Sequence, residues 1–103
     1  MIVITMVENK TNNPTIFIGN KPFMNYVTGV VMQFTTQGVK EVCIKARGKF
    51  ISRAVDVAQV ALNRFLVGQI NLGDIKIDSE GFTNKEGRDV RVSTIDIVLN
   101  RKE

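Results

Sequence analysis

Four cations crowd one glycine in this chain: Lys45, Arg47, Lys49 and Arg53 fall within nine residues around Gly48. Glycine lets the backbone bend and lets another backbone approach closely. The residues after it, Ile51, Ala54, Val55 and Ala58, recur at helical spacing. Residues 44–56 therefore read as a strand that leaves through a basic turn into the start of a helix, an arrangement suited to a phosphate group. Lys21 follows an earlier apolar run, and Lys85, Arg88 and Arg91 gather at a later turn. Any surface turn attracts lysine and arginine, so solvated turns are the plain alternative. Nucleic acid is the ligand class that would use all three clusters.

Other chemistries are poorly served. Histidine is absent, which removes the commonest general base and metal ligand. The single cysteine, Cys43, belongs to no Cys/His cluster, and neither a Walker-type loop nor a GxGxxG pattern occurs. Asp56 and Asp96 each alternate with apolar neighbours, as solvated or salt-bridged carboxylates do. Lys45 stands among other cations, which favours phosphate contact over amine chemistry. The sequence thus predicts no enzyme, no metal and no cofactor. With one tyrosine and no tryptophan, stacking on single strands is less favoured than phosphate and groove contact.

At 103 residues the chain has the length of one domain with one modest core. No apolar run approaches the ~18 residues of a membrane span. Residues 1–13 read as a loosely ordered leader and 14–103 as a single domain. Cys43, between Val42 and Ile44, suits a buried thiol in a reducing compartment, so a cytoplasmic protein is expected. The net charge of +4 is unevenly spread. Residues 21–64 carry seven basic side chains against two acidic, whereas residues 68–98 carry four against six. The positive field belongs to the first two thirds of the chain.

Positioning these cations requires a sheet and helices. Thr15, Ile16, Phe17 and Ile18 form a β-branched and aromatic run closed by Gly19 and Asn20, the mark of a buried strand. Pro22 opens a helix over residues 22–36, with Phe23, Val27, Val30, Val31 and Phe34 on one face and Gly38 as its cap. Residues 39–46 alternate as a second strand. A second helix runs from the basic turn to Gly68 on a stripe of Ile51, Ala54, Val55, Ala58, Ala61, Leu62 and Phe65. Val57 and Val60 lie off this stripe, either widening the core face or meeting a second subunit. Residues 70–82 and 88–99 flank a turn whose Gly87 suits a positive φ. In the last strand the apolar phase shifts between Val92 and Ile95, which predicts a β-bulge near Ser93–Thr94 and an arm projecting beyond it.

The predicted fold is therefore α+β, β-α-β-α-β-β: a four-stranded mixed sheet, two helices on one face and an extended hairpin arm. If the first two strands are adjacent and parallel, the Lys21 loop and the Arg47–Lys49 turn open on the same sheet edge.

The segments around Ile16-Phe17-Ile18-Gly19-Asn20-Lys21-Pro22, residues 44–56, Asn63-Arg64-Phe65 and Gly87-Arg88 to Arg91-Val92-Ser93-Thr94-Ile95 together resemble the Alba family of archaeal chromatin proteins, over about residues 15–99. The resemblance implies a homodimer associated with the chromosome. It would bind double-stranded DNA, and also RNA, with little sequence preference, its body over phosphates and its arms in minor grooves. By matching position, the body contacts would be Asn20, Lys21, Lys45, Arg47, Lys49 and Arg53, and the arm contacts Lys85, Arg88 and Arg91. Asn63, Arg64 and Phe65 would meet neighbouring dimers. Two departures stand out. Asn20 replaces a lysine that is subject to acetylation in the family, and Asp78, Glu80 and Asp89 make this arm more acidic. An RNA chaperone or ribonucleoprotein subunit using the same surface is the main alternative, and a dimeric scaffold whose cations serve only solubility is another.

Overall fold

The computed structural model describes residues 13–102. The expected leader falls outside them except for Asn13, whose Nδ2 donates to Glu41 Oε2 at 3.3 Å. The elements follow in the expected order: β1 (Thr15–Phe17), α1 (Phe23–Thr35), β2 (Glu41–Arg47), α2 (Ile51–Val60), β3 (Ile70–Thr83) and β4 (Asp89–Arg101). One mixed sheet has the order β1-β2-β4-β3. β1 and β2 are parallel neighbours, with Ile16 opposite Ile44, while β4 runs antiparallel to both β2 and β3.

Alternation along the strands divides the sheet into two faces. On one, Ile16, Val42, Ile44, Ala46, Ile95, Ile97 and Leu99 pack against α1 and α2, which contribute Val27, Val30, Phe34, Ala54, Val57 and Ala58. Ile44 is fully buried at the centre; truncating such a residue to alanine costs about 2–5 kcal/mol. Arg101 ties the far end of α1 to the sheet: Nη2 donates to the carbonyls of Phe34 (2.5 Å) and Val39 (3.1 Å). Its guanidinium also lies over the Phe34 ring.

Four details depart from the pattern expected of the sequence. Within β1, Phe17 points away from the helices and is 56% exposed. On α2 the core face is centred on Val57, which is fully buried, whereas Val55 is exposed and Val60 only partly covered. The off-stripe pair therefore belongs to a wider core face.

Third, the helix does not end regularly. It continues through a π-helical turn over Ala61–Phe65, in which the Leu66 N–H reaches back five residues to the Ala61 carbonyl at 2.9 Å. The extra residue rotates the chain, so Leu66 enters the core and Phe65 is left 49% exposed.

Fourth, β3 and β4 stay in register through Ser93 and Thr94, and the irregularity lies in β3 between Leu72 and Ile75. Uninterrupted alternation puts Val92 on the face opposite Ile95, next to the basic corner: a Cβ at position 48 would meet its Cγ2 at 3.2 Å. The displaced bulge lets Leu72, Ile75 and Ile77 share the helical side of the sheet despite their mixed parity. They oppose Leu99, Ile97 and Ile95.

β2 last pairs with β4 at Arg47 and Thr94, and beyond that β3 and β4 continue as a two-stranded arm to Thr83 and Asp89. A strand of 14 residues spans about 46 Å at ~3.3 Å per residue, in keeping with the 48 Å long axis of the molecule.

Candidate nucleic-acid interface

Because β1 and β2 are parallel neighbours, their C-terminal ends open on one edge of the sheet. The loop after β1 carries Asn20 and Lys21, both exposed. The corner after β2 carries Arg47, Gly48 and Lys49. Gly48 adopts φ +56°, a left-handed conformation that a side chain would strain. From there a short 3-10 turn, Gly48–Phe50, feeds directly into α2.

Two side chains hold the loop against the helices. Tyr26, buried on α1, places its hydroxyl oxygen where the N–H groups of Gly19 and Lys21 both donate to it, each at 3.0 Å. Arg53, from the first turns of α2, donates from Nη2 to the Lys21 carbonyl at 2.9 Å. Its guanidinium lies 6.0 Å from the Phe23 ring centre and 5.9 Å from that of Tyr26, a cation–π position. Its Nε is buried with no partner among the described residues. Arg53 is thus a brace between α2 and the loop as well as a cation.

The remaining body cations differ in availability. Lys49 Nζ stands 5.4 Å over the Phe50 ring and makes no ion pair among the described residues. Lys45 lies on the open face of the sheet and pairs with Asp96 at 3.2 Å. Arg47 reaches the base of the arm and pairs with Glu80 at 3.2 Å, both side chains more than half exposed. One acidic residue of the arm, Glu80, thus meets the basic turn directly.

On the arm, Arg91 is aligned along the strand by Nε donating to Ser79 Oγ at 3.1 Å. Lys85 and Arg88 sit at the tip, exposed, in a turn organised by Asn84. Its Oδ1 accepts the N–H groups of Glu86 and Arg88, and Gly87 has φ +81°. The tip lies some five residues past Glu80, on the order of 16 Å along the strand. Asn63, Arg64 and Phe65 are brought to neither group. They lie exposed beyond the other end of α2, about 15 Å from its start at 1.5 Å per residue.

Sequence reasoning located the cations but missed Tyr26, Ser79 and the Arg47–Glu80 pair. A buried tyrosine always needs a partner for its hydroxyl, so Tyr26 carried a signal. The register that sets Glu80 beside the corner carried none.

Among the described residues no group of histidine, cysteine, aspartate or glutamate side chains could hold a metal. No helix among the described residues is long and apolar enough to cross a membrane. Burial, with the nearby Asp96 carboxylate adding to it, pushes the Cys43 thiol above its ordinary value of 9.0, so it is a neutral thiol at neutral pH.

The two-helix, four-stranded α+β fold with its long hairpin is shared with solved structures of Alba proteins. The Alba family model matches residues 14–79, and the chain belongs to the Alba family. It is 58% identical over 90 residues to the DNA/RNA-binding protein Alba of Nanoarchaeum equitans, covering 86% of this chain and 99% of that one. Among solved structures, Alba from Thermoplasma volcanium superposes with a TM-score of 0.77 at 42% identity, over 84% of this chain and 99% of the other. ALBA1 from Trypanosoma brucei, at 20% identity, shares the fold with a TM-score of 0.67, over 86% of this chain and 69% of its own.

Proposed function

We propose that this protein is a homodimeric nucleic-acid-binding protein that coats double-stranded DNA with little sequence preference. The observation that carries this reading is the braced cationic edge, where Tyr26 of α1 and Arg53 of α2 fix the Asn20–Lys21 loop on the same sheet edge as the Arg47–Lys49 corner. Such an edge presents exposed charge, which suits the phosphate backbone. The DNA/RNA-binding name of the Nanoarchaeum relative supports the ligand class. In this reading Asn20, Lys21, Lys45, Arg47, Lys49 and Arg53 lie over phosphates. Lys85, Arg88 and Arg91 accompany the arm into a minor groove, and the protein works on the chromosome.

Support for the dimer comes from β3. Leu72, Ile75 and Ile77 lie on the helical side of the sheet, yet the helices leave them 46%, 53% and 76% exposed. A continuous apolar row beside a packed core is the surface a second copy would cover. Asn63, Arg64 and the half-exposed Phe65, remote from this row and from the cations, are assigned to contact between neighbouring dimers on DNA.

The test is a gel shift at low salt with a random-sequence duplex, competed by unlabelled duplexes of other sequence and by a structured RNA. The reading predicts retardation as a two-subunit complex and equal competition by every duplex. RNA competing far better than duplex would favour ribonucleoprotein work on the same edge. No retardation by either would favour a scaffold and overturn the proposal.

A further inference from the structure

The face of the sheet turned away from the helices carries a groove of which the duplex reading uses only the cations Lys45, Arg47 and Lys49 and leaves the aromatic rings without a role. Across its floor Phe17, Lys45, Asp96 and Lys76 stand side by side on the four strands in successive cross-strand pairs. Toward the arm the same face continues through Asp78 and Glu80 to Phe82. The cavity measures about 860 Å³, and three of the chain's six phenylalanines, Phe17, Phe50 and Phe82, line it. Phe17 and Phe82 are 56% and 47% exposed, an unusual solvent exposure for large aromatic rings on a charged strand face. Arg47 and Lys49 line it at the basic corner.

We propose that this groove binds unpaired nucleotides of a single-stranded nucleic acid, with a base stacked on Phe17. The inference rests on the nucleic-acid reading above and adds a second site to it. The argument is one of chemical complementarity. A duplex keeps its bases stacked and leaves the faces of Phe17 and Phe82 unused, and two of the groove's cations are already held by carboxylates, Lys45 by Asp96 and Arg47 by Glu80. An unpaired base instead shows an apolar π-face, which stacks on an aromatic ring, and ring or exocyclic N–H groups, which a carboxylate accepts.

The flanking phosphates then fall to Arg47 and Lys49, the same corner that the duplex would engage. The cavity has the size of a small-molecule site, room for roughly two nucleotides. Leu72, Ile75 and Ile77 project from the opposite side of the sheet, so a dimer formed through them leaves the groove open. RNA and DNA present the same base chemistry here, and the experiment separates them.

Binding of fluorescent oligo(A), oligo(dA) and a random-sequence duplex is measured by anisotropy for the wild type and Phe17→Ala. The substitution is expected to weaken single-strand binding about five- to hundredfold, the range for one lost base–aromatic stack, with duplex binding changed less than about twofold. A larger loss for oligo(A) than for oligo(dA) identifies RNA as the ligand, and the reverse identifies DNA. Phe17→Trp gives an independent readout, since the chain has no other tryptophan: oligonucleotide should quench its indole fluorescence and duplex should not. Single-strand affinity indifferent to Phe17→Ala, or indole fluorescence of the Phe17→Trp variant unmoved at saturating oligonucleotide, overturns this inference while leaving duplex binding standing. Wild-type protein that binds neither duplex nor single strand at low salt overturns the nucleic-acid reading beneath it.

Discussion

Removing one oxygen, by Tyr26→Phe, should loosen the cationic edge without touching its charge. The hydroxyl accepts two N–H groups at 3.0 Å each, and a typical hydrogen bond is worth about 0.5–1.5 kcal/mol net. The two donors are not equivalent. Gly19 is partly buried and its N–H loses most of that value, while the exposed Lys21 is rehydrated at little cost. The expected loss is about 0.5–1.5 kcal/mol, or roughly 2–12 °C in Tm for a domain of this size. The melts must be compared at fixed protein concentration because dimerisation adds its own term. Bound duplex must then re-order the loop, so affinity should fall about two- to tenfold per protomer. Since no cation is removed, the salt dependence of binding should keep its slope. An unchanged Tm would refute the brace. A shallower salt slope would show that Tyr26 acts by something other than loop order.

The arm's acidity gives a second outcome: Glu80→Gln frees Arg47 from an exposed pair worth about 0–1 kcal/mol. Duplex affinity measured at low salt should therefore rise by up to about fivefold per protomer; a weaker complex would mean that Glu80 organises the corner rather than competing for it. Ile77→Asp, at a site 76% exposed in the monomer, should change protomer stability by no more than about 0.5 kcal/mol yet halve the mass seen by light scattering. An intact dimer would move the interface elsewhere. For Cys43, whose value is raised above 9.0 in the folded chain, the linked stability is complete below that pH and is lost as pH rises through the folded value. Melts between pH 8 and 10 should therefore decline more steeply for the wild type than for Cys43→Ala, and parallel declines would remove the thiol from the account.

Much of this architecture was legible because local chemistry and global fold agree. Ile16 and Ile44 sit in apolar runs that become paired parallel strands, and that pairing puts the loops of Lys21 and Arg47 on one sheet edge. Gly87 forecast its positive φ from turn chemistry. The misreadings all arose where one residue's placement depends on a distant partner. Phe65 fits the α2 stripe by periodicity, but a single π-turn hands its place to Leu66. The apolar phase shift near Ser93 suggested a bulge, whereas β4 is regular there and Val92 is an apolar residue on the open face, beside Gly48. The true irregularity, between Leu72 and Ile75, also left an even-to-odd phase change in the sequence. Phe17 looked like one more core residue in a short apolar strand. Only the sheet order shows that the side of β1 it occupies has no helix over it.

The central claim is that phosphate neutralisation at the braced edge supplies the affinity. Its most direct test is the salt dependence of duplex binding for the wild type, Arg47→Ala and Lys49→Ala. If a dimer neutralises about 6–10 phosphates, the logarithmic slope should be about −5 to −9. Each substitution should weaken all duplex sequences alike and flatten the slope by about two per dimer, one for each protomer. A wild-type affinity indifferent to salt, or a slope untouched by either substitution, would contradict it.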